Sequence, residues 1–487
     1  MKIRFFCLLA ISGLLISCMN PEISDTNANK APIAVAGVNQ LVSLFTIVQL
    51  DGSNSYDEDG DTLSYSWQLM SQPAYSSAII SANDIVNPTI TIDVVGDYVI
   101  NLIVNDGETN SAASSLTISV VEFTGDCNAV GWIGAGSESW IKTSEVLSGD
   151  AYNYLNSPMG ISIDSSNNLY IVDYWNSRIS KWSSSGVAAG WIGGGFDGWQ
   201  TTSGTQSGGS YKHFYNPMDV DLDASGNIYV VEEHYSRVLK WDATGNAVGW
   251  IGGGSDGWKT RDANESMEAG PEYQKLDFPH GICVDSLGNI YIADFLNNRV
   301  SKWNAAGVAQ GWIGGGSDGW KTINGTSSGN GLRSFNHPID VAVDNLGNIY
   351  VVDMDNHRIS KWSANGTAIG WIGGGDDGWH TSSGASAANY WENKRMDNPT
   401  GISVDANYIY IVDKSNNRIS KWGLDGVYFG WIGKGHDDWR VSLNPDGSGG
   451  VDYQSFDSPV NICLDGSGNL YVSDSANHRI SKWQQGE

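Results

Sequence analysis

A tryptophan-centred unit of about 60 residues recurs six times between residues 127 and 485, and this constrains the fold more than any other feature of the 487-residue chain. The mark K-W ends at Trp182, Trp241, Trp303, Trp362, Trp422 and Trp483, spaced by 59 to 62 residues. GWIG recurs in step, beginning at Gly131, Gly190, Gly249, Gly311, Gly370 and Gly430. A further tryptophan follows each GWIG, at Trp140, Trp199, Trp258, Trp320, Trp379 and Trp439. These three series take eighteen of the 21 tryptophans, so most of the large aromatic content belongs to repeated architecture.

One unit, NPMDVDLDASGNIYVVEEHYSRVLKWDATGNAVGWIG, reads as four strands: VDLD, IYVVE, SRVLKW and AVGWIG. Asp/Gly/Asn turns divide them. Four strands repeated radially solve the problem of exposed sheet edges. The spaced residues P-x-G-I-x-x-D, GN-[IL]-Y-[IV]-x-D and N-x-R-[IV]-S-K-W closely resemble the NHL repeat family, and the resemblance implies a six-bladed β-propeller. A GWIG strand at 129–134 precedes the first complete unit, whereas the last unit stops at Trp483 without one. The missing fourth strand of the last blade is therefore expected from the start of the domain, giving a propeller over 127–485 closed by its N-terminal strand.

The segment 32–121 has short alternating strands broken by Asp/Gly/Asn turns, as a small antiparallel sandwich requires. LDGSNSYDEDGDTLSYSW followed by GDYVINLIVNDG resembles a PKD-type immunoglobulin-like domain, with Trp67 in the core and Tyr98 on a strand. The whole chain is thus expected to be all-β, an immunoglobulin-like β-sandwich followed by the propeller. Asp57, Asp59 and Asp61 invite a calcium reading, but Thr62 and Gln68 stand where an EF-hand loop needs glycine and an acid. A turn whose Asp side chains bond nearby amides explains them more simply.

Residues 1–17 place Lys2 and Arg4 before an apolar run ending in Leu15-Ile16-Ser17-Cys18, which resembles a bacterial lipoprotein signal. The resemblance implies cleavage before Cys18 and its lipidation. Residues 18–31 then read as a flexible tether, and the bacterial cell envelope, outer membrane or cell surface, is the expected location. Beyond Cys18 the cysteines are Cys127, Cys283 and Cys463, which make no disulfide framework or Cys-x-x-Cys site, and any pairing is left open. A net charge of −27 would repel phosphate backbones, so nucleic acid is excluded as a partner.

Asp173, Glu232, Asp294, Asp353, Asp413 and Asp474 end the second strands, and an arginine follows each five residues later, from Arg178 to Arg479. Such pairs are placed to fix a hairpin, and six equivalent sites around a ring cannot all be one active centre. No catalytic set stands out. GGGSDG at 252–257 matches G-x-G-x-x-G, but no helix follows to hold a pyrophosphate. GWIGGGSDGW instead reads as an outer strand plus the turn that launches a loop toward one face.

Those inserts between blades are long, polar and variable, and form the natural binding surface. Tyr211, Tyr273, Trp391 and Tyr453 are the candidate ligand-binding residues. The position two after each blade's proline alternates: Gly160, Asp219, Gly281, Asp340, Gly401, Asn461. Asp219, Asp340 and Asn461 are therefore candidates to converge on a cation, with calcium in the channel or in the PKD-like domain as the cofactor to consider. NHL-like amidating lyases hold metal with histidines from several blades, whereas the position after the proline carries one histidine here, His280. The expected function is binding or adhesion to an extracellular polysaccharide or protein by a protein held on a membrane through Cys18. The alternative is a metal-dependent lyase or lactonase centred on the channel.

Overall fold

The computed structural model describes residues 29–486 apart from 44–46, 74–75, 95, 122–126, 137–138, 144–147, 205–206, 261–268, 327, 385–392, 436–438 and 441–448. Cys18 with its signal segment, and Trp391, lie outside the described residues. The chain divides into two compact units, residues 1–123 and 124–487.

The first unit holds β1 (Gln40–Ser43), β2 (Ile47–Gln49), β3 (Ser64–Ser71), β4 (Thr89–Thr91), β5 (Gly96–Asn105) and β6 (Ser114–Val121). They form a sheet in the order β1-β6-β5-β3 and a second sheet of β2 and β4. Alternation along β5 buries Tyr98, Ile100, Leu102 and Val104 completely against Trp67 and Leu50. The Trp67 indole donates to the Ile85 carbonyl at 3.0 Å, so its polar edge is satisfied in the core. Asp57 Oδ1 accepts the N–H groups of Asp59 and Asp61 at 2.8 and 3.4 Å, and Asp59 Oδ2 accepts that of Lys30 at 2.7 Å. These carboxylates are organised by backbone amides.

The second unit begins with β7 (Cys127–Ile133). Blade 1 is β8 (Pro158–Ile163), β9 (Leu169–Asp173), β10 (Arg178–Trp182) and β11 (Ala188–Ile192). Blade 2 is β12 (Pro217–Leu222), β13 (Ile228–Glu232), β14 (Arg237–Trp241) and β15 (Ala247–Ile251). Blade 3 is β16 (Pro279–Val284), β17 (Ile290–Asp294), β18 (Arg299–Trp303) and β19 (Ala309–Ile313). Blade 4 is β20 (Pro338–Val343), β21 (Ile349–Asp353), β22 (Arg358–Trp362) and β23 (Ala368–Ile372). Blade 5 is β24 (Pro399–Val404), β25 (Tyr408–Asp413), β26 (Arg418–Gly423) and β27 (Tyr428–Ile432). Blade 6 has three strands of its own, β28 (Pro459–Leu464), β29 (Leu470–Asp474) and β30 (Arg479–Gln485), and takes β7 as its fourth. The β7–β30 ladder is antiparallel, with Ile133 opposite Ile480 and Cys127 opposite Gln485.

The first strands β8, β12, β16, β20, β24 and β28 each lie against the next, and β28 lies against β8. Every second strand from β9 to β29 is buried along its length, apart from Tyr408 at the start of β25, because neighbouring blades cover both faces of the sheet. Cores are therefore shared between blades: Tyr170 and Val172 of blade 1 pack with Val220, Val230 and Trp241 of blade 2. The tryptophans ending the third strands are fully buried.

The GWIG tryptophans are packing residues, Trp250 and Trp312 being 8% and 3% exposed. The stretch after GWIG does not launch straight toward one face. It doubles back, so that Trp312 and Lys321 exchange backbone hydrogen bonds at 2.9 Å in both directions. Its turn then grips the next blade: Asp318 Oδ1 accepts the Ala368 N–H at 3.0 Å, the Gly319 N–H donates to Gly366 at 2.8 Å, and the Trp320 indole donates to Ala364 at 3.0 Å. Asp256, Gly257 and Trp258 repeat this on Ala309, Gly307 and Ala305. Trp320 and Tyr291, in contact with each other, both face the Lys302 ammonium, at 5.2 and 5.0 Å.

Candidate functional site

Each first strand starts beside the end of its second strand, as Pro158 pairs with Asp173. The inserts and the hairpins joining second to third strands therefore share one end of the ring, and the Asp-x-x-Gly-Asn turns lie at the other. At the first end stand the six buried acid–arginine pairs. Five have Nε to Oδ2 distances of 2.7 to 2.8 Å, and Glu232 pairs with Arg237 in the sixth. Burial pushes the pKa of Asp173, Asp294, Asp353 and Asp474 up, and the guanidinium opposes it.

The rest of each guanidinium binds loop backbone. Arg299 donates to the carbonyls of Pro271, Glu272, Lys275 and Gly325 at 2.6 to 3.3 Å, and so fastens the insert entering its blade and the one leaving it. Asn297 bridges Asp294 and the Gly270 carbonyl, both at 2.9 Å, and Asn176, Asn356 and Asn477 do the same in their blades. These residues hold loops in place.

At the centre of the ring Asp219, Asp340 and Asn461 do come together. Asn461 Nδ2 donates to Asp219 Oδ1 at 3.0 Å, and burial followed by the Asp340 charge pushes the Asp219 carboxyl well up. Burial pushes the Asp340 carboxyl up to about 8. The alternation with glycine has a steric cause. A β-carbon on Gly160 would stand 2.1 Å from Asp219 Oδ1, one on Gly281 2.4 Å from Asp340 Oδ1, and one on Gly401 2.7 Å from the Asn461 Cα. Six side chains do not fit at this waist, so three project and three are absent.

Each projecting acid also bridges blades. Asp219 accepts the N–H groups of Val220 and Ile282, and Asp340 those of Val341 and Ile402, all at 2.8 to 2.9 Å. The four carboxylate oxygens thus serve backbone amides. Among the described residues no group of three or more His, Cys, Asp or Glu is arranged to hold a metal. Below the waist a chamber of about 150 Å³ is lined by Ser162, Asp221, Cys283 and Cys463, whose thiols are free. Asp221 accepts the Ser162 hydroxyl at 2.8 Å and the Val284 N–H at 2.7 Å, and burial pushes it up to about 6. Above the waist lies a pocket of about 40 Å³ with His280 in its wall. Burial, then His337, pushes the His280 imidazole down to about 4, and its ring lies 4.6 Å from that of Phe295.

Of the aromatic residues singled out on the inserts, the three that are described, Tyr211, Tyr273 and Tyr453, make no ring contact with one another. Tyr211 leans on the core shared by blades 1 and 2, with the Lys212 ammonium 5.9 Å from its ring. Tyr453 packs against the core of blades 5 and 6 that holds Phe456 and Trp483, under Lys142 at 5.6 Å. The backbone N–H of Tyr273 donates to Asn324 at 3.4 Å. What the sequence pattern does not single out is the hairpin tip of blade 1, where Trp175 is 63% exposed. The signal was available, because Trp175 belongs to none of the three tryptophan series.

Family models match a PKD domain over residues 36–120 and NHL repeats over 155–182, 276–303, 335–362 and 456–483. The chain carries a PKD-like domain and NHL repeats. The matched NHL repeats are those of blades 1, 3, 4 and 6. Blade 2 departs from the others by Glu232 and Tyr235 where they have Asp and Asn, and blade 5 by DANYIY in place of the Gly-Asn turn. No curated protein matches the chain. Among solved structures, an auxiliary nutrient binding protein from Bacteroides ovatus is 12% identical, covering 94% of this chain and 99% of its own, with a TM-score of 0.47. A structural genomics protein of unknown function from Bacteroides thetaiotaomicron is 16% identical over 94% and 99%, with a TM-score of 0.44. An inactive virginiamycin B lyase from Staphylococcus aureus, solved with quinupristin, is 10% identical over 86% and 99%, with a TM-score of 0.39.

Proposed function

We propose that this protein is an exported, lipid-anchored binding module that takes an extracellular ligand, a polysaccharide or a protein, on the face built from the inserts and hairpin tips of the NHL propeller. One observation carries the reading. Most residues repeated from blade to blade are consumed in holding the ring, whereas the two residues after each acid differ in all six blades: YW, EH, FL, MD, KS and SA. The opposite end varies too, but only within short turns; a fixed scaffold that carries its long, varied inserts at one end is the arrangement of a recognition surface. Lipid on Cys18 would hold the protein at the cell envelope, with the PKD-like domain as spacer. The metal-dependent lyase or lactonase has less to support it, since Asp219 and Asp340 are engaged by amides and, among the described residues, His280 belongs to no group of three or more His, Cys, Asp or Glu that could hold a metal.

The test is surface-specific capture. The protein is immobilised and exposed to polysaccharides and to proteins of the extracellular medium, with Phe278→Ala/Leu296→Ala on the tip face and Leu287→Ala/Leu346→Ala on the opposite turns. All four side chains are exposed. A ligand lost with the first pair and kept with the second is the expected result. Turnover of a lactone or lyase substrate, abolished together with a stoichiometric metal by Asp219→Ala, would overturn the binding reading. Metabolic lipid labelling that persists in Cys18→Ala would overturn the anchor.

A further inference from the structure

The hairpin tips of blades 1 and 2 differ from the other four in chemistry. Blade 1 presents Tyr174 and Trp175, with ring centroids 4.9 Å apart and planes at 78°. Blade 2 presents Glu233, His234 and Tyr235, and Tyr215 packs beside them, 4.3 Å from the His234 ring and 6.0 Å from that of Tyr235. The two groups are neighbours: β9, which ends just before Tyr174, lies against β12, which begins two residues after Tyr215, and burial, then Glu233 and Tyr215, push the Tyr174 phenol up. All but the exposed Trp175 are half-buried.

Blade 2 gives up part of the repeat to make this cluster. Where blades 1, 3, 4 and 6 have an asparagine that bridges the buried acid and a loop carbonyl, blade 2 has Tyr235, whose ring lies 4.8 Å from the Arg237 guanidinium. A local rule broken at one repeat, with a structural bond lost, marks a residue kept for another purpose. The hydroxyls differ as well. The tyrosine of every second strand gives its hydroxyl to a turn aspartate, Tyr170 to Asp164 and Tyr229 to Asp223 among them, at 2.9 to 3.3 Å across the six. Among the described residues the hydroxyls of Tyr174, Tyr215 and Tyr235, the Glu233 carboxylate and the His234 imidazole make no hydrogen bond.

We infer that this cluster is a carbohydrate subsite, in which a neutral pyranose stacks on Trp175 and its hydroxyls bond to Tyr174, Tyr215, Glu233, His234 and Tyr235. A pyranose offers an apolar C–H face to the indole and a rim of hydroxyls to uncommitted donors and acceptors. An acidic sugar is disfavoured by Glu233 and by the net charge of −27, and the guanidiniums of the two hairpins, Arg178 and Arg237, are already paired with Asp173 and Glu232. The inference rests on the binding reading and names the sugar class and its place.

Native gels containing β-glucan, galactomannan, arabinoxylan or polygalacturonate test it with the intact protein. At least one neutral polysaccharide is expected to retard it, with the apparent affinity falling about tenfold or more in Trp175→Ala. Tyr235→Asn, which restores the repeat, is expected to weaken retardation while the thermal midpoint holds or rises. Leu346→Ala, at the far end of the ring, leaves it unchanged. Unretarded migration in all three neutral gels overturns the sugar subsite, even where a protein ligand is captured and the wider binding reading survives. Retardation undiminished in Trp175→Ala overturns the location, and retardation by polygalacturonate alone overturns the neutral class.

Discussion

Arg299 and Asp294 are wholly buried and joined at 2.7 Å, and the value of that pair lies in what surrounds it. A buried ion pair gains little over an apolar one, but breaking it strands a charge. Arg299→Ala should therefore lower stability by ~3–5 kcal/mol in urea unfolding, and should also expose the inserts around Pro271 and Gly325 to limited proteolysis. The acids at the waist act in the opposite sense with pH. The folded-state pKa of Asp219 and Asp340 lies above the unfolded value, so their contribution is complete in acid and is lost as the pH rises through about 8 for Asp340. Unfolding free energy should fall by roughly 3 kcal/mol between pH 6 and 9 from Asp340 alone, and further with Asp219. Asp340→Asn should cost stability at pH 6, because its amide faces an N–H donor, but should flatten that decline. At this scale the acid–arginine pairs were legible from their fixed five-residue offset. The cause of the Gly/Asp alternation was not, because Gly160 meets Asp219 across a blade boundary.

The strands themselves could be read closely from the repeat marks. Asp353 ends β21, Arg358 begins β22 and Trp362 ends it, as the repeated letters place them. The course of the chain after GWIG could not be read that way. Its hairpin is stabilised by Gly366 and Ala368 of the following blade, about 50 residues on, and a linear pattern carries no such pairing. The supply of β7 to blade 6 was legible for a simpler reason: one GWIG stands before the first unit and none after the last. A chain starting at residue 135 should leave β30 as an unpaired edge. Its thermal midpoint should fall by more than ~5 °C, and size-exclusion chromatography should show self-association.

For the whole molecule, two units with separate cores divide the work between a small sandwich and a ring whose cores run from blade to blade. The proposed ligand surface is harder to read from the sequence than the ring, because a repeat draws attention to what recurs. Trp175 and Tyr235 depart from the repeat, whereas Tyr211, Tyr273 and Tyr453 are aromatic residues within long inserts. The β7–β30 ladder has a topological consequence. Cys127 and Gln485 face each other across it, so the two ends of the propeller's chain lie within about 5 Å, the separation of paired strands. Joining those ends and reopening the chain at the exposed turn around Leu346 should yield a circular permutant with an unchanged circular dichroism spectrum and the same tip face. The ring then has no preferred first blade, and evolution could move its entry point without disturbing the face that the inserts and hairpin tips build.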